Sequence, residues 1–196
     1  MDENPSVGAA FELAKAGKLD EAAQLLQALL DADTIDLTGA VLLAQVHLAQ
    51  ERPIQAAQIL FPAWDSRDQL PDESRVPIGS LLAQACLTAQ EWIEALRVLV
   101  ELRALDGGEA EALSIAERVQ PPTAEPDDSP AAKLFVVHVR GLLHRVRAEL
   151  EPAREALADA WAMAADVEGG RDVIGEDYAG VLTALGTPTT PDQLPA

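Results

Sequence analysis

Cysteine, aromatic rings and basic side chains are all scarce in this chain, and each scarcity removes a class of structure or function. Cys86 is the single cysteine among 196 residues, so no internal disulfide framework can form and no thiol cluster is available for zinc. Phe, Tyr and Trp together make up 4% of the chain, whereas 48% is hydrophobic. That apolar set is dominated by Ala and Leu, with few β-branched residues, which favours close helix-on-helix packing over strands. Fourteen Lys and Arg stand against 33 Asp and Glu, for a formal net charge of -19. Such a surface repels phosphate backbones and anionic headgroups, which argues against nucleic acid and membrane surfaces as partners and favours neutral or basic ones. The excess is concentrated early, since 23 of the acids but only 8 of the basic residues precede residue 131.

Long apolar runs are also missing. No uncharged stretch approaches the roughly 18 residues that a membrane span needs, and "KLFVVHVRGLLHRV" is interrupted by Arg140 and His144. The opening "MDENPSVGAA" has neither the basic nor the apolar region of a secretory signal. The expected location is the cytoplasm, with no membrane insertion. There is no Gly-rich phosphate loop, no nucleophile elbow and no dinucleotide fingerprint. Acid pairs such as Glu109 and Glu111 read as helix-start charges opposing the dipole. No catalytic residue, cofactor or metal is therefore assigned.

What the sequence does contain is a phrase written several times. "GKLDEAAQLLQALL" from residue 17 returns as "AELEPAREALADAW" from residue 148. Aligning Ala22 with Ala56, an offset of 34, brings in "ERPIQAAQILFPAW", and "QEWIEALRVLVELR" places Ala95 in the same column. The alanine column is then Ala22, Ala56, Ala95 and Ala153. Upstream of each phrase runs a second helical segment, in which Ala9-Ala10, Leu43-Ala44, Leu82-Ala83 and Arg140-Gly141 are equivalent. Three residues further stand Leu13, His47, Cys86 and His144. Two helices approach to about 8 to 10 Å only where side chains are small, so the alanines mark crossings and the leucines fill around them.

These columns resemble the tetratricopeptide repeat family, whose unit is two antiparallel helices of 34 residues with small residues where they cross. The resemblance covers residues 4 to 105 as three units and 134 to 167 as a fourth. The copies depart from the family pattern: no Trp opens a first helix, alanine replaces the first-helix glycine in three of them, and the closing proline is absent. The resemblance implies an all-α chain, an α-solenoid of antiparallel helix pairs in a right-handed superhelix with a C-terminal capping helix. Residues 1-119 read as three units plus an extra helix over Glu109 to Val119. Residues 120-130, "QPPTAEPDDSP", hold four prolines and three acids and no base. They read as a solvated linker or strap, which either separates the fourth unit or crosses the surface so that the stack resumes. Residues 131-186 are the fourth unit and a capping helix from Asp172 to Leu185, ended by Gly186. Residues 187-196 read as a disordered tail. Helix starts are expected at Asp36 or Thr38 and at Pro77 or Ser80.

Three histidines and a basic stretch invite chemistry. His138 and His144 are six apart, which sets them about 120° from a shared helical face, unlike a zinc pair. His47 and His144 stand where the family carries an aromatic and read as packed or half-buried rings, and Cys86 reads as a buried apolar residue. Arg140, His144 and Arg147 fall at i, i+4 and i+7, an anion-accepting stripe unless Arg145-Glu149 and Arg147-Glu151 pair along the helix. In the family the first helices line the concave surface. The implied groove residues are Val7, Phe11 and Lys15, then Val41, Gln45 and Leu48, then Ser80, Gln84 and Leu87. Val7 and Phe11 replace the Lys and Asn with which chaperone-type members clamp an acidic C-terminus. The functional expectation is a non-enzymatic scaffold or adaptor that holds a neutral or basic peptide with spaced hydrophobic residues. An acidic cytoplasmic chaperone for a secreted substrate, and an accessory subunit docking on an enzyme through its acidic surface, stay open as alternatives, as does a homo-oligomer.

Overall fold

Four helix ends are built the same way. In the computed structural model, Gly17, Glu51, Gln90 and Ala148 all adopt positive φ, between 58° and 76°. The next residue donates its amide five back: Lys18 to Leu13, Arg52 to His47, Glu91 to Cys86 and Glu149 to His144, at 2.8 to 3.0 Å. The positive-φ residue itself donates three back, at 3.0 to 3.1 Å. This double closure ends a helix in the left-handed residue and satisfies its last carbonyls. The four reversals fall in one column of the aligned repeats, five residues before the alanine column and seven after the small residue of the first helix. The carbonyl that each of them closes on belongs to the column of Leu13, His47, Cys86 and His144.

The structure describes residues 6–125 and 128–195. The first residues of the opening repeat, Pro126 and Asp127 of the expected linker, and Ala196 lie outside these. Among the described residues the regular structure is entirely helical. Helix α1 (Val7–Lys15) turns into α2 (Leu19–Asp31), α3 (Leu37–Ala49) into α4 (Pro53–Asp65), and α5 (Asp72–Thr88) follows. The ten α-helices of the described residues are completed by α6 (Trp92–Arg103), α7 (Gly108–Glu117), α8 (Pro130–Val146), α9 (Leu150–Ala164) and α10 (Gly170–Ala184). Contacts group the chain into two compact units that divide between Glu91 and Trp92, whereas the sequence reading set its boundary at 120–130.

In the first unit each helix packs on the next, from α1 to α5, and α1 also reaches α3. This is the stacking of an α-solenoid. Its core gathers Ala10, Ala22, Leu26, Leu43 and Val46, and Ala22 and Ala56 have no exposed surface at all. The start of α3 is capped as expected, with Asp36 accepting the Gly39 amide at 2.8 Å. The start of α5 is not at Pro77 or Ser80. It lies at Asp72, with Asp72 and Glu73 in the first turn and Arg75 donating to the Leu70 and Asp68 carbonyls. Acids at a helix N-terminus outweigh the proline, whose ring is tolerated inside the helix at the loss of one main-chain bond.

In the second unit α6 packs on α7 and on α8, α8 on α9, and α9 on α10. Ala95 and Ala153 are fully enclosed. Helices α8 and α9 cross closely at Gly141, where an added Cβ would lie 2.7 Å from Leu157 Cγ. Gly186 ends α10 with φ 88°, as the sequence indicates. The tail differs from the sequence reading. Residues 187–195 fold back through a short 3₁₀ turn over Pro191–Gln193, because Leu194 finds an apolar seat and leaves only 9% of its surface exposed.

Two stability measurements check this register by urea denaturation. Ala22→Asp forces an unpaired charge into an enclosed crossing and is expected to cost several kcal/mol, of the order of about 3 to 5. Ala148→Gly relieves a left-handed alanine and is expected to stabilise by about 1 kcal/mol. A destabilised Ala148→Gly would show that the reversal is not under strain.

Candidate functional site

Helices α1, α3 and α5 leave a groove of about 600 Å³ in the first unit. Val7 and Phe11 reach it from α1, Leu37 and Val41 from α3, and Pro77 and Ile78 from α5. The polar lining is Glu12, Thr38, Gln45, Glu73 and Ser74, with two carboxylates and no basic group. Phe11 leaves 52% of its surface exposed. A large ring left this open on an apolar wall offers free energy to an incoming side chain. Pro77 contributes a second feature. Because it has no amide hydrogen, the Glu73 carbonyl lacks its helical donor, and both residues line the groove.

Of the residues named from the sequence, the structure brings Val7, Phe11, Val41 and Gln45 together in this groove. Lys15 is exposed at the end of α1, Gln84 is exposed on α5, and Leu48 and Leu87 are half-buried; none of the four lines it. Ser80 is buried, with its hydroxyl oxygen enclosed and unpaired, so it cannot face a ligand. The sequence pattern missed Glu12, Glu73 and Pro77. The longer α5 brings the last two in, and its start was hidden by a proline usually read as a boundary.

The column histidine of the first unit, His47, is buried. Burial pushes its imidazole below the ordinary value, Gln50 opposes this, and the charge of Arg52 adds to the lowering. His144 is half-buried and donates from Nδ1 to Glu149 Oε2 at 2.6 Å. The expected basic stripe is accordingly divided: Arg140 is exposed, His144 is occupied by Glu149, and Arg147 is exposed. The pairs Arg145-Glu149 and Arg147-Glu151 do not form. Glu151 meets Arg154 instead at 2.9 Å, and Arg145 turns to the interior.

Arg145 belongs to a buried cluster that joins three helices of the second unit. Asp177 of α10, 4% exposed, accepts from Arg97 of α6 at 2.8 and 3.1 Å and from His138 Nε2 of α8 at 2.9 Å. Arg145 Nη1 stands 3.6 Å from its second oxygen. Arg97 also donates to the Val173 carbonyl at 2.8 Å. Burial alone would raise the Asp177 carboxyl, but hydrogen bonds from His138 and Arg97 outweigh it and hold the group below its usual range. Burial lowers Arg145, with the Asp177 charge opposing. The signal in the sequence was an acid on an apolar stripe: Ile174, Asp177 and Val181 fall at i, i+3 and i+7. The cluster holds no nucleophile, and its carboxylate oxygens are already engaged, so its chemistry is that of a lock.

Among the described residues no group of three His, Cys, Asp or Glu side chains is placed to hold a metal ion, and no helix is long and apolar enough to cross a membrane. No family model matches the sequence, and no curated protein matches it. Two solved structures from Podosopora anserina, named as a kinesin light chain of nearly identical TPR-like repeats and a point variant of it, are similar to this chain. The first shares 19% identity and covers 94% of this chain and 89% of its own, with a TM-score of 0.42. The variant shares 18% and covers 92% and 84%, with the same score. At this distance the repeat assignment rests on the four reversals and the enclosed alanines of the chain itself.

The cluster generates a pH prediction. A carboxyl whose folded pKa lies below its unfolded value stabilises the fold above the unfolded pKa of about 3.9, and that contribution is lost as pH falls through the folded value. Wild-type stability is expected to drop below about pH 4, with part of that slope absent in Asp177→Asn. At neutral pH, Asp177→Ala is expected to cost about 3 kcal/mol, the lower end for a broken buried pair, because Arg97 can turn partly to water. Urea midpoints measured across pH check both.

Proposed function

We propose that the chain is a non-enzymatic interaction scaffold that holds an apolar, basic segment of a partner protein in the groove of α1, α3 and α5. The observation that carries this reading is the pairing of an open apolar wall, with Phe11 at its mouth, and a rim bearing Glu12 and Glu73 without a basic group. Residues 1–91 carry fourteen acidic against five basic side chains, so the field around the groove has the same sign as its rim. Such a site concentrates basic segments and repels acidic ones. Gln45 adds a donor and an acceptor for the main chain of the bound segment, and the Glu73 carbonyl adds a further acceptor.

Selection of random peptides on the purified chain is the test. Enriched peptides are expected to combine spaced hydrophobic residues with net positive charge and to weaken with salt. Phe11→Ala should reduce their affinity by about 2 kcal/mol or more, as for a buried aromatic anchor, and Gln45→Ala by about 0.5 to 1.5 kcal/mol. Peptides without charge bias, bound equally by wild type and by both folded variants, would refute the groove.

A further inference from the structure

Residues 187–195 are seated on the second unit as a ligand would be. The segment is anchored at both ends. Near its start the Thr189 amide donates to Thr183 Oγ1 at 3.2 Å, and at its end the Trp161 indole Nε1 donates to the Pro195 carbonyl at 2.8 Å. Between them the Thr190 amide donates to the Gln193 side-chain oxygen at 2.9 Å, which fixes the bend that presents Pro191 and Leu194 to one face. That face is the bare backbone of Gly175 in α10. A Cβ there would lie 3.3 Å from Pro191 Cβ, 3.6 Å from the Trp161 ring and 4.0 Å from Leu194 Cδ1. Any side chain at this position would therefore compete with the segment for its seat.

The shelf beneath is aromatic. Trp161 lies 6.5 Å from Tyr178, centroid to centroid, and the Arg171 guanidinium stacks 5.0 Å from the Trp161 ring. Arg171 Nε is enclosed there without a hydrogen-bond partner. An aromatic floor, one indole donor aimed at a main-chain carbonyl, and a glycine where a proline packs are the means by which proteins take proline-bearing extended segments. The occupant bonds mainly through its own backbone and is covalently tethered. Its seat is held by tether concentration and a few contacts, which a partner segment can match.

We propose that the α9–α10 face around Gly175 is a docking site for segments carrying Pro-x-x-Leu-Pro, occupied within this chain by residues 187–195 and opened to a partner segment of the same chemistry when that strap lifts. Leu194→Asp in the full chain removes the apolar anchor and leaves the shelf intact. Gln193→Ala loosens the bend without placing a charge, and serves where the first variant folds poorly. The probe is a fluorescent peptide with the sequence of residues 189–195, TTPDQLP, read by anisotropy. Both variants, helical by circular dichroism, are expected to bind it at least tenfold more tightly than wild type does. Adding Gly175→Val, or replacing the probe's leucine with aspartate, is expected to abolish binding. If folded Leu194→Asp and Gln193→Ala bind no better than wild type, or Gly175→Val leaves binding unchanged, the proposal fails. A wild-type dimer that is lost in Leu194→Asp would place the occupant on a second copy and overturn the assignment within one chain.

Discussion

Everything in this fold depends on the chain reversing direction within about three residues while two helix axes stay close enough to exclude water. The reversal demands a left-handed residue, and the closeness demands a small side chain at the crossing. In the pairs that lie within one unit, α1 with α2, α3 with α4 and α8 with α9, the two demands are met at fixed separation. The left-handed column is filled by Gly17, Glu51, Gln90 and Ala148, and the small column by Ala22, Ala56, Ala95 and Ala153. Only one of the four reversals uses glycine, so the backbone conformation is imposed by packing on either side rather than by the preference of the residue that adopts it. Local strain of this kind persists where the surroundings over-determine it.

The two units use the same repeat for different ends. In the first, the face of the first helices stays open, and acidic groups surround an apolar wall. In the second, polar and charged groups are drawn inward, with Asp177 taking donors from α6 and α8, and the outward aromatic face is covered by residues 187–195. The basic residues of α8 that looked like a surface stripe are divided between these roles, with Arg145 turned inside and Arg140 left in water.

The helix pairs were legible because spacing alone encodes them: the alanine columns repeat, and each buried position is small for a geometric reason. Four of the thirteen residues that line the groove were legible for the same reason, since Val7, Phe11, Val41 and Gln45 follow from the register of α1 and α3. The α5 side was not, because Pro77 reads locally as a helix boundary while the acids ahead of it and the packing on α4 extend the helix past it. Ser80 keeps the register of Val7 and Val41 but is buried. The tail was misjudged on composition, since a run rich in Thr and Pro says nothing of the Gly175 shelf that receives it. Asp177 was hidden because its three partners come from helices distant in sequence, and only folding brings them to one point.

A stack of helix pairs is ordinarily a one-dimensional object, in which each element feels its immediate neighbours and the ends can fray while the middle holds. The carboxylate of Asp177 breaks that rule. It joins α6, α8 and α10 through a single ionised group, so peeling α10 away strands the buried imidazole of His138 and leaves the part-exposed guanidinium of Arg97 without its carboxylate. Loosening the terminal helix therefore carries the cost of breaking contacts with α6 and α8, which couples its opening to theirs.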